Sequence, residues 1–261
     1  MLLLSLIAAS AAAQRQVKVD LTPDGSAHME GFIPAEPDGR VVLVLPGGGY
    51  AHLAMQHEGY DWAPWFNARG IACFVLTYRM PHGDRSIPYA DATNAMLHLR
   101  SHAAEYGINP HQIGIMGSSA GGHLATTVAT HAADDARPDF QILFYPVVTM
   151  AREGTHEGSA QNLLGTQRDD QALVTAFSNQ LQVRAGQTPP AILLAASDDR
   201  AVPPLPNAVA YYSALCQAGI PAALHLWPTG GHGFGFRTNF TYHQQMLDEL
   251  AAWLSTLNPK P

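Results

Sequence analysis

The chain has 261 residues, of which 47% are hydrophobic and 13% are charged, and its formal net charge is −7. The 14 basic residues are scattered, which excludes the clustered positive surface of a nucleic-acid-binding protein. The 13 histidines are scattered as well, and the sequence holds neither a His-Glu-x-x-His nor a Cys-x-x-Cys spacing. We therefore expect no metal and no cofactor.

The first thirteen residues form an apolar run that ends in three alanines before Gln14. A run of about a dozen residues is too short to span a bilayer, and small residues ahead of a polar one are typical of a signal-peptide cleavage site. No lysine or arginine precedes the run, and an N-terminal helix of the mature fold is the alternative. We expect residues 1–13 to be a signal peptide, the protein to be exported to the periplasm or secreted, and no segment to span the membrane.

From residue 14 onward, short apolar runs alternate with longer amphipathic segments. The runs predict buried strands, and they cover residues 41–45, 71–78, 112–116, 140–145, 191–196 and 222–227. The segments between them predict helices over residues 59–69, 90–106, 120–131, 207–218 and 242–257. This alternation is typical of a mostly parallel, doubly wound α/β sheet with helices on both faces. No linker or repeat divides it, so we expect one domain over residues 14–261.

Residues 147–190 interrupt the alternation. No apolar run of strand length occurs there, while Gly, Ser, Thr, Asn and Gln are frequent. Long irregular segments in compact domains are usually functional or mobile. We therefore expect a small helical cap over the strand ends where a site would lie, and a surface insertion without function is the alternative.

The two cysteines lie in different settings. Cys73 belongs to an apolar run and Cys216 to a predicted helix. Both are expected to be buried thiols that behave as small hydrophobic residues. A disulfide between them would require the two to be adjacent in the fold.

The sequence Gly117-Ser-Ser-Ala-Gly121 follows a predicted strand and opens a predicted helix. A Gly-x-Ser-x-Gly motif in this setting is a nucleophile elbow, a sharp turn that presents the serine hydroxyl. Glycines are needed because a Cβ at either end of the turn would clash. We expect Ser119 to be the catalytic nucleophile.

The first predicted strand runs into Pro46-Gly-Gly-Gly-Tyr50. A run of glycines lets backbone N–H groups approach the oxyanion that develops during acyl transfer. No Lys-Ser/Thr pair follows the glycines, which argues against a phosphate-binding loop. We expect Gly48 and Gly49 to form an oxyanion hole together with Ala120 from the elbow.

A carboxylate and a histidine follow the last two predicted strands. Asp198 and Asp199 come directly after one of them, and the spacing Asp-x-x-Val-Pro favours Asp199 as the acid. His232 lies in a glycine-rich loop after the final strand, where it can reach the serine. The order serine, aspartate, histidine is the one that this kind of fold requires, so we expect His232 to be the general base. His123 on the elbow helix is interpreted as a packing residue.

These motifs resemble the acetylxylan and bifunctional acetyl/feruloyl carbohydrate esterases of the α/β-hydrolase superfamily, through most of residues 14–261. The resemblance is carried by the residues just described and by Leu53-Ala54, His57-Glu-Gly59, Gly70-Ile71, Tyr78-Arg-Met-Pro81, Asn162-Leu-Leu-Gly165 and Gly230 to Phe236. It implies hydrolysis of acetyl, and in bifunctional members feruloyl, esters on a polysaccharide or oligosaccharide such as acetylated xylan. It also implies substrate contacts from His57 and Glu58, and the nearby aromatic residues Tyr50 and Phe234 would stack on a sugar ring unless they belong to the core.

Other functions stay open at this point. A general small-molecule carboxylesterase, an arylformamidase or a serine peptidase of the prolyl-oligopeptidase type uses the same order of catalytic residues. A binding protein on a hydrolase scaffold would not need Ser119, Asp199 and His232 to be intact, so their presence favours an enzyme. The sequence makes no prediction about the oligomeric state.

Overall fold

The computed structural model describes residues 14–257, so the predicted signal peptide lies outside the described residues. Within this range one sheet contains eight strands. They are β1 (Arg15–Asp20), β2 (His28–Ile33), β3 (Val41–Leu45), β4 (Ala72–Thr77), β5 (Ile113–Ser118), β6 (Phe140–Phe144), β7 (Ala191–Ala196) and β8 (Ala222–Trp227). The six predicted strands are all present as β3 to β8.

The sheet has the order β1-β2-β4-β3-β5-β6-β7-β8. β2 is antiparallel to both of its neighbours, β1 and β4. The remaining neighbours, in the order β4-β3-β5-β6-β7-β8, all pair in parallel. Because of this, the loops after β3, β5, β7 and β8 meet at one edge, where open α/β sheets place their ligands. The predicted mostly parallel α/β sheet is confirmed.

β1 and β2 are absent from the sequence-based prediction. Residues of β2 alternate between buried and half-buried positions, and β1 is exposed or half-buried throughout. Antiparallel strands at the margin of a sheet carry polar residues on the solvent face. They therefore lack the continuous apolar run by which β3 to β8 are recognised.

The helices occupy the segments between the strands. They are α1 (Ala63–Asn67), α2 (Ser86–Ser101), α3 (Ala103–Tyr106), α4 (Ala120–His131), α5 (Glu157–Leu164), α6 (Gln171–Ala176), α7 (Ala210–Gln217) and α8 (His243–Thr256). α4 packs on β5 and β6, α1 on β4, and α8 on β7. The predicted helix over 90–106 begins four residues earlier, at Ser86, and is interrupted at His102, which is not helical. No helix in residues 14–257 is long and apolar enough to cross a membrane.

The core lies on both sides of the central strands. Every residue of β3, β5, β6 and β7 is buried, as expected for parallel strands that helices cover. Cys73 is fully buried in β4, whereas Cys216 is an exposed free thiol on α7. The expectation of two buried thiols is therefore wrong for Cys216, which lies on the solvent side of its helix.

The segment 147–190 between β6 and β7 contains α5, α6 and two short 3-10 turns. No strand occurs in it. His156, Gly158 and Asn162 of this segment line a cleft at the carboxyl edge of the sheet. α5 thus lies beside the loops that follow the strands.

Candidate active site

Ser119 lies in the turn that joins β5 to α4. Its φ of 54° and ψ of −119° are unusual for a residue with a side chain, and such strain is typical of a nucleophile elbow. A Cβ on Gly117 would collide with the carbonyl oxygen of Gly121, and a Cβ on Gly121 with that of Leu45. The two glycines of the motif are therefore required by the close approach of the backbone.

Ser119, His232 and Asp199 form a chain of hydrogen bonds. The Nε2 atom of His232 lies 2.8 Å from Oγ of Ser119, and its Nδ1 atom lies 2.7 Å from Oδ2 of Asp199. A carboxylate accepts only, so Nδ1 carries the proton and Nε2 is free to accept from the serine hydroxyl. This is the tautomer that a general base needs.

The carboxyl group of Asp199 is held by its own loop. Its Oδ1 accepts the N–H groups of Ala201 and Val202, both at 2.9 Å, while its side chain is almost completely buried. The neighbouring Asp198 is exposed, and its Oδ1 accepts the N–H of Gly231 at 2.8 Å. Asp199 thus orients the ring of His232, whereas Asp198 ties down the loop that carries it.

The loop 46–50 after β3, called the oxyanion loop below because it carries Gly48 and Gly49 of the predicted oxyanion hole, has backbone N–H groups without partners. Gly48 and Gly49 have φ values of 132° and 67°, which residues with side chains rarely adopt. The N–H groups of Gly48, Gly49 and Ala120 make no hydrogen bond within the described range. The N–H of Ala120 is free because Ala120 is the first residue of α4. The three N–H groups predicted for an oxyanion hole therefore have no partner among the described residues, and Gly48 and Gly49 line the same cleft as Ser119.

Three side chains fix the oxyanion loop. The hydroxyl of Tyr78 donates to the carbonyl oxygen of Pro46 at 2.7 Å. The N–H of Gly47 donates to Oε2 of Glu58 at 2.8 Å. From α5, Nδ2 of Asn162 donates to the carbonyl oxygen of Gly49 at 2.9 Å. The free N–H groups are thus preorganised, and preorganisation of such donors is what makes them effective.

Tyr145 joins the oxyanion loop to the histidine loop. Its hydroxyl donates to Oε1 of Glu58 and accepts the N–H of Gly235, both at 2.8 Å. Burial and the nearby Glu58 carboxylate raise the pKa of Tyr145, so the hydroxyl keeps its proton. Its ring packs edge-on against the ring of His232, with 4.8 Å between centroids. No local sequence pattern indicates this role of Tyr145, because its partners come from distant parts of the chain.

The two aromatic residues expected to stack on a sugar belong to the core instead. The hydroxyl of Tyr50 is 2.9 Å from Nδ1 of His123, whose Nε2–H donates to the carbonyl oxygen of Phe177. Phe234 stacks on Phe240 with 4.1 Å between centroids. Both Tyr50 and Phe234 are buried, and neither lines the cleft. The expectation of substrate contacts from them is wrong, because Phe234 packs against Phe240 and the hydroxyl of Tyr50 is hydrogen-bonded inside the core. The hydrogen bonds of His123 to Tyr50 and Phe177 agree with its interpretation as a packing residue.

His57 and Glu58 both line the cleft, but His57 is half-buried and Glu58 is buried. His57 is partly exposed, and Nη2 of Arg237 donates to its Nε2 at 3.3 Å. Burial lowers the pKa of His57, with Arg237 acting in the same direction. Glu58 accepts from Gly47 and Tyr145 with its two oxygens. Both carboxylate oxygens of Glu58 are therefore engaged within the protein. The partly exposed side chain of His57 is the one of the two that can contact a ligand.

The cleft has a volume of about 540 Å³. It is lined by Gly48, Gly49, Ala51, His52, Ala54, His57, Glu58, Ser119, His156, Gly158, Asn162, His232, Gly233 and Arg237. These residues are small, or carry hydrogen-bonding groups, and none has a large apolar side chain. In the part of the chain that the structure describes, no three metal-ligating side chains come together.

The family model for the α/β-hydrolase fold matches residues 42–236. The chain therefore belongs to the α/β-hydrolase family. It is 43% identical over all 261 residues to an acetylxylan esterase of Xylanibacter ruminicola, of which it covers 54%. It is also 36% identical to endo-1,4-beta-xylanase B of Butyrivibrio fibrisolvens. That match extends over 207 residues, which are 74% of this chain and 32% of the xylanase. The chain thus spans about half the length of the first relative and a third of the second.

Solved structures agree with this assignment. An acetyl ester-xyloside bifunctional hydrolase from Caldicellulosiruptor lactoaceticus superposes with a TM-score of 0.86 at 33% identity, over 95% of this chain and 98% of that chain. Esterase Est2 of Thermogutta terrifontis, in a propionate-bound structure, gives a TM-score of 0.78 at 25% identity, over 97% and 98% of the two chains. The predicted resemblance to the carbohydrate esterases of the α/β-hydrolase superfamily is confirmed.

Proposed function

We propose that this chain is a serine esterase that hydrolyses acetyl esters on polysaccharides or their oligosaccharides, such as acetylated xylan. The observation that carries the proposal is the hydrogen-bonded chain from Ser119 through His232 to Asp199. It lies beside the free N–H groups of Gly48 and Gly49, and this combination is what acyl transfer requires.

The first half of the reaction forms an acetyl-enzyme. Oγ of Ser119 attacks the carbonyl carbon of the ester, and its proton passes to Nε2 of His232. Asp199 stabilises the imidazolium that results. The carbonyl oxygen becomes an oxyanion and accepts hydrogen bonds from the N–H groups of the oxyanion loop and of Ala120. When the intermediate collapses, the bond to the alcohol oxygen breaks, and His232 gives its proton to that oxygen.

The second half releases acetate. His232 removes a proton from a water molecule, whose oxygen attacks the acetyl carbon bound to Ser119. The same oxyanion donors stabilise the second tetrahedral intermediate. Collapse breaks the bond to Oγ, His232 returns the proton to the serine, and acetate leaves.

The choice of an acetylated saccharide rests on two further observations. The relative that shares 43% identity over the whole chain carries the name acetylxylan esterase. The cleft beside Ser119 includes side chains that can donate or accept hydrogen bonds, among them His57, Asn162 and Arg237, which suits an alcohol with several hydroxyl groups. Export to the periplasm or the medium belongs to the same proposal, supported by the apolar run of residues 1–13, and N-terminal sequencing of the purified protein tests it.

The experiment compares wild type with Ser119→Ala on acetylated xylo-oligosaccharides and on p-nitrophenyl acetate, with acetate or nitrophenol release as the readout. Removing the nucleophile should lower kcat by about 10⁴ or more, as loss of one triad member does in serine hydrolases. Ser213→Ala, at an exposed serine of α7, is the matched control and should keep its rate within about threefold. A Ser119→Ala protein with a near-wild-type rate would contradict the proposal. Activity on p-nitrophenyl acetate without release from the oligosaccharides would leave a general esterase.

A further inference from the structure

A histidine of the segment between β6 and β7 reaches the cleft that Ser119 and His232 line. His156 caps the N-terminus of α5. Its Cε1 atom is 3.6 Å from the point where a Cβ on Gly49 would lie. α5 is tied to the same loop, because Nδ2 of Asn162 donates to the carbonyl oxygen of Gly49. The ring of His156 therefore has a defined position next to the oxyanion loop.

The capping contact fixes the tautomer of this ring. Nδ1 of His156 accepts the N–H of Ser159 at 3.2 Å and lies 2.8 Å from Oγ of the same serine. A ring nitrogen that accepts carries no proton, so the neutral ring has its proton on Nε2. Burial lowers the pKa of His156, and the nearby His232 acts in the same direction, which favours the neutral form.

The Nε2–H group of His156 is left as a donor in the cleft. It has no hydrogen-bond acceptor among residues 14–257, and the ring is only partly covered. A donor with one possible tautomer and an anchored ring loses little freedom when it binds a ligand. It is therefore suited to recognise one particular oxygen atom.

The position of this donor relative to the reacting groups indicates which oxygen it recognises. The acyl oxygen is taken by the N–H groups of Gly48, Gly49 and Ala120. His232 delivers its proton to the leaving alcohol, so a group close to His232 on the cleft side also lies close to that alcohol. His156 and His232 line the same cleft, on which Ser119 also lies.

We propose that Nε2–H of His156 donates a hydrogen bond to a free hydroxyl group next to the acetylated position of the substrate. The enzyme would then favour monoacetates of vicinal diols, as in partly acetylated sugars, over acetates of simple alcohols. This inference rests on the proposed function, since it assigns a role to the alcohol part of the ester that Ser119 attacks.

The test uses two esters that differ by one hydroxyl: the monoacetate of trans-1,2-cyclohexanediol and cyclohexyl acetate. Wild type should hydrolyse the first with a kcat/KM about tenfold higher, the factor that corresponds to about 1.4 kcal/mol. His156→Asn keeps a good capping side chain for α5 but is too short to reach the substrate. It should lower kcat/KM about tenfold on the diol monoacetate and less than about twofold on cyclohexyl acetate.

His111→Asn is the matched control, because His111 is exposed at the opposite, N-terminal end of β5 and should change neither rate. The thermal unfolding midpoint of His156→Asn shows whether the variant is folded. Equal wild-type rates on the two esters, or an equal loss on both in His156→Asn, would overturn the role of His156 and leave the esterase function standing. If neither ester is hydrolysed in a manner that depends on Ser119, it is the proposed function that fails.

Discussion

Tyr145→Phe tests how the two loops of the site are held together. The hydroxyl of Tyr145 connects the oxyanion loop, through Glu58 and the N–H of Gly47, to the histidine loop, through the N–H of Gly235. The substitution removes this one atom and keeps the ring that packs on His232. Any loss therefore reports on the hydrogen bonds and not on packing.

The cost in stability follows from the two bonds that disappear. The bond to the Glu58 carboxylate is of the kind that contributes about 1.5–3 kcal/mol. Gly235 is buried, and a buried N–H without a partner costs about 1–3 kcal/mol. Because relaxation and water recover part of this sum, we expect the free energy of unfolding to fall by about 2–4 kcal/mol, measured by urea denaturation.

The cost in activity should fall on kcat. The oxyanion donors act mainly in the transition state, and removing one such donor in a serine hydrolase costs about 10²–10³ in kcat. Here no donor is removed, but the Glu58 carboxylate that holds Gly47 loses its second anchor. We expect kcat for p-nitrophenyl acetate to fall about 30- to 100-fold, with KM changed less than about threefold.

Tyr211→Phe is the matched control. Tyr211 is fully buried and its hydroxyl donates to Oε1 of Gln141 at 3.0 Å, away from the cleft. It should lose about 1–2 kcal/mol of stability and keep its kcat. The reasoning would be refuted if Tyr145→Phe kept wild-type kcat, or if Tyr211→Phe lost as much activity as Tyr145→Phe.

Three further outcomes are expected. Asp199→Asn should lower kcat for p-nitrophenyl acetate about 10⁴-fold, since the amide holds the wrong tautomer of His232, while Asp198→Asn should cost less than about tenfold; equal losses would contradict the assignment. p-Nitrophenyl acetate should be cleaved with a higher kcat/KM than the octanoate, because the cleft offers long chains no large apolar side chain, and EDTA should not change the rate; an octanoate preference would indicate a lipase-like enzyme. Burial lowers the pKa of His123 to about 4 from 6.5. Between pH 6.5 and pH 4, the unfolded chain therefore binds a proton at His123 that the folded chain does not. His123 should therefore contribute a fall in the free energy of unfolding of up to about 3 kcal/mol as the pH drops from 6.5 to 4, and urea titrations of His123→Gln should lack this contribution.

That Ser119, His232 and Asp199 meet at one edge of the sheet could be predicted because each is marked by local sequence. The elbow needs glycines on both sides of Ser119, and the backbone contacts of Gly117 and Gly121 show why. His232 and Asp199 directly follow recognisable strands, and parallel strands bring their carboxyl ends to one edge. Spacing along the chain thus determines position in space for these residues.

The residues that support the site could not be predicted in this way. Whether Tyr50 faces a ligand or the core depends on the turn at its own backbone, where φ is 57°, and on the location of His123. Glu58 and Tyr145 are 87 positions apart, and no local pattern indicates that they meet. β1 and β2 were missed for a related reason, since their stability comes from pairing and not from a continuous apolar sequence.

Backbone strain in this protein is concentrated around Ser119 and the loops that meet it. Four residues other than glycine have positive φ within residues 14–257, and three of them, Tyr50, Ser119 and Tyr145, belong to the site or its supports. Each such conformation costs about 1–3 kcal/mol and persists only where the surroundings hold it in place. The hydrogen bonds of Tyr50 to His123 and of Tyr145 to Glu58 and Gly235 supply that restraint. Tyr145 thus holds its own strained turn and also connects the oxyanion loop to the loop that carries His232, so a single buried hydroxyl should influence both stability and rate.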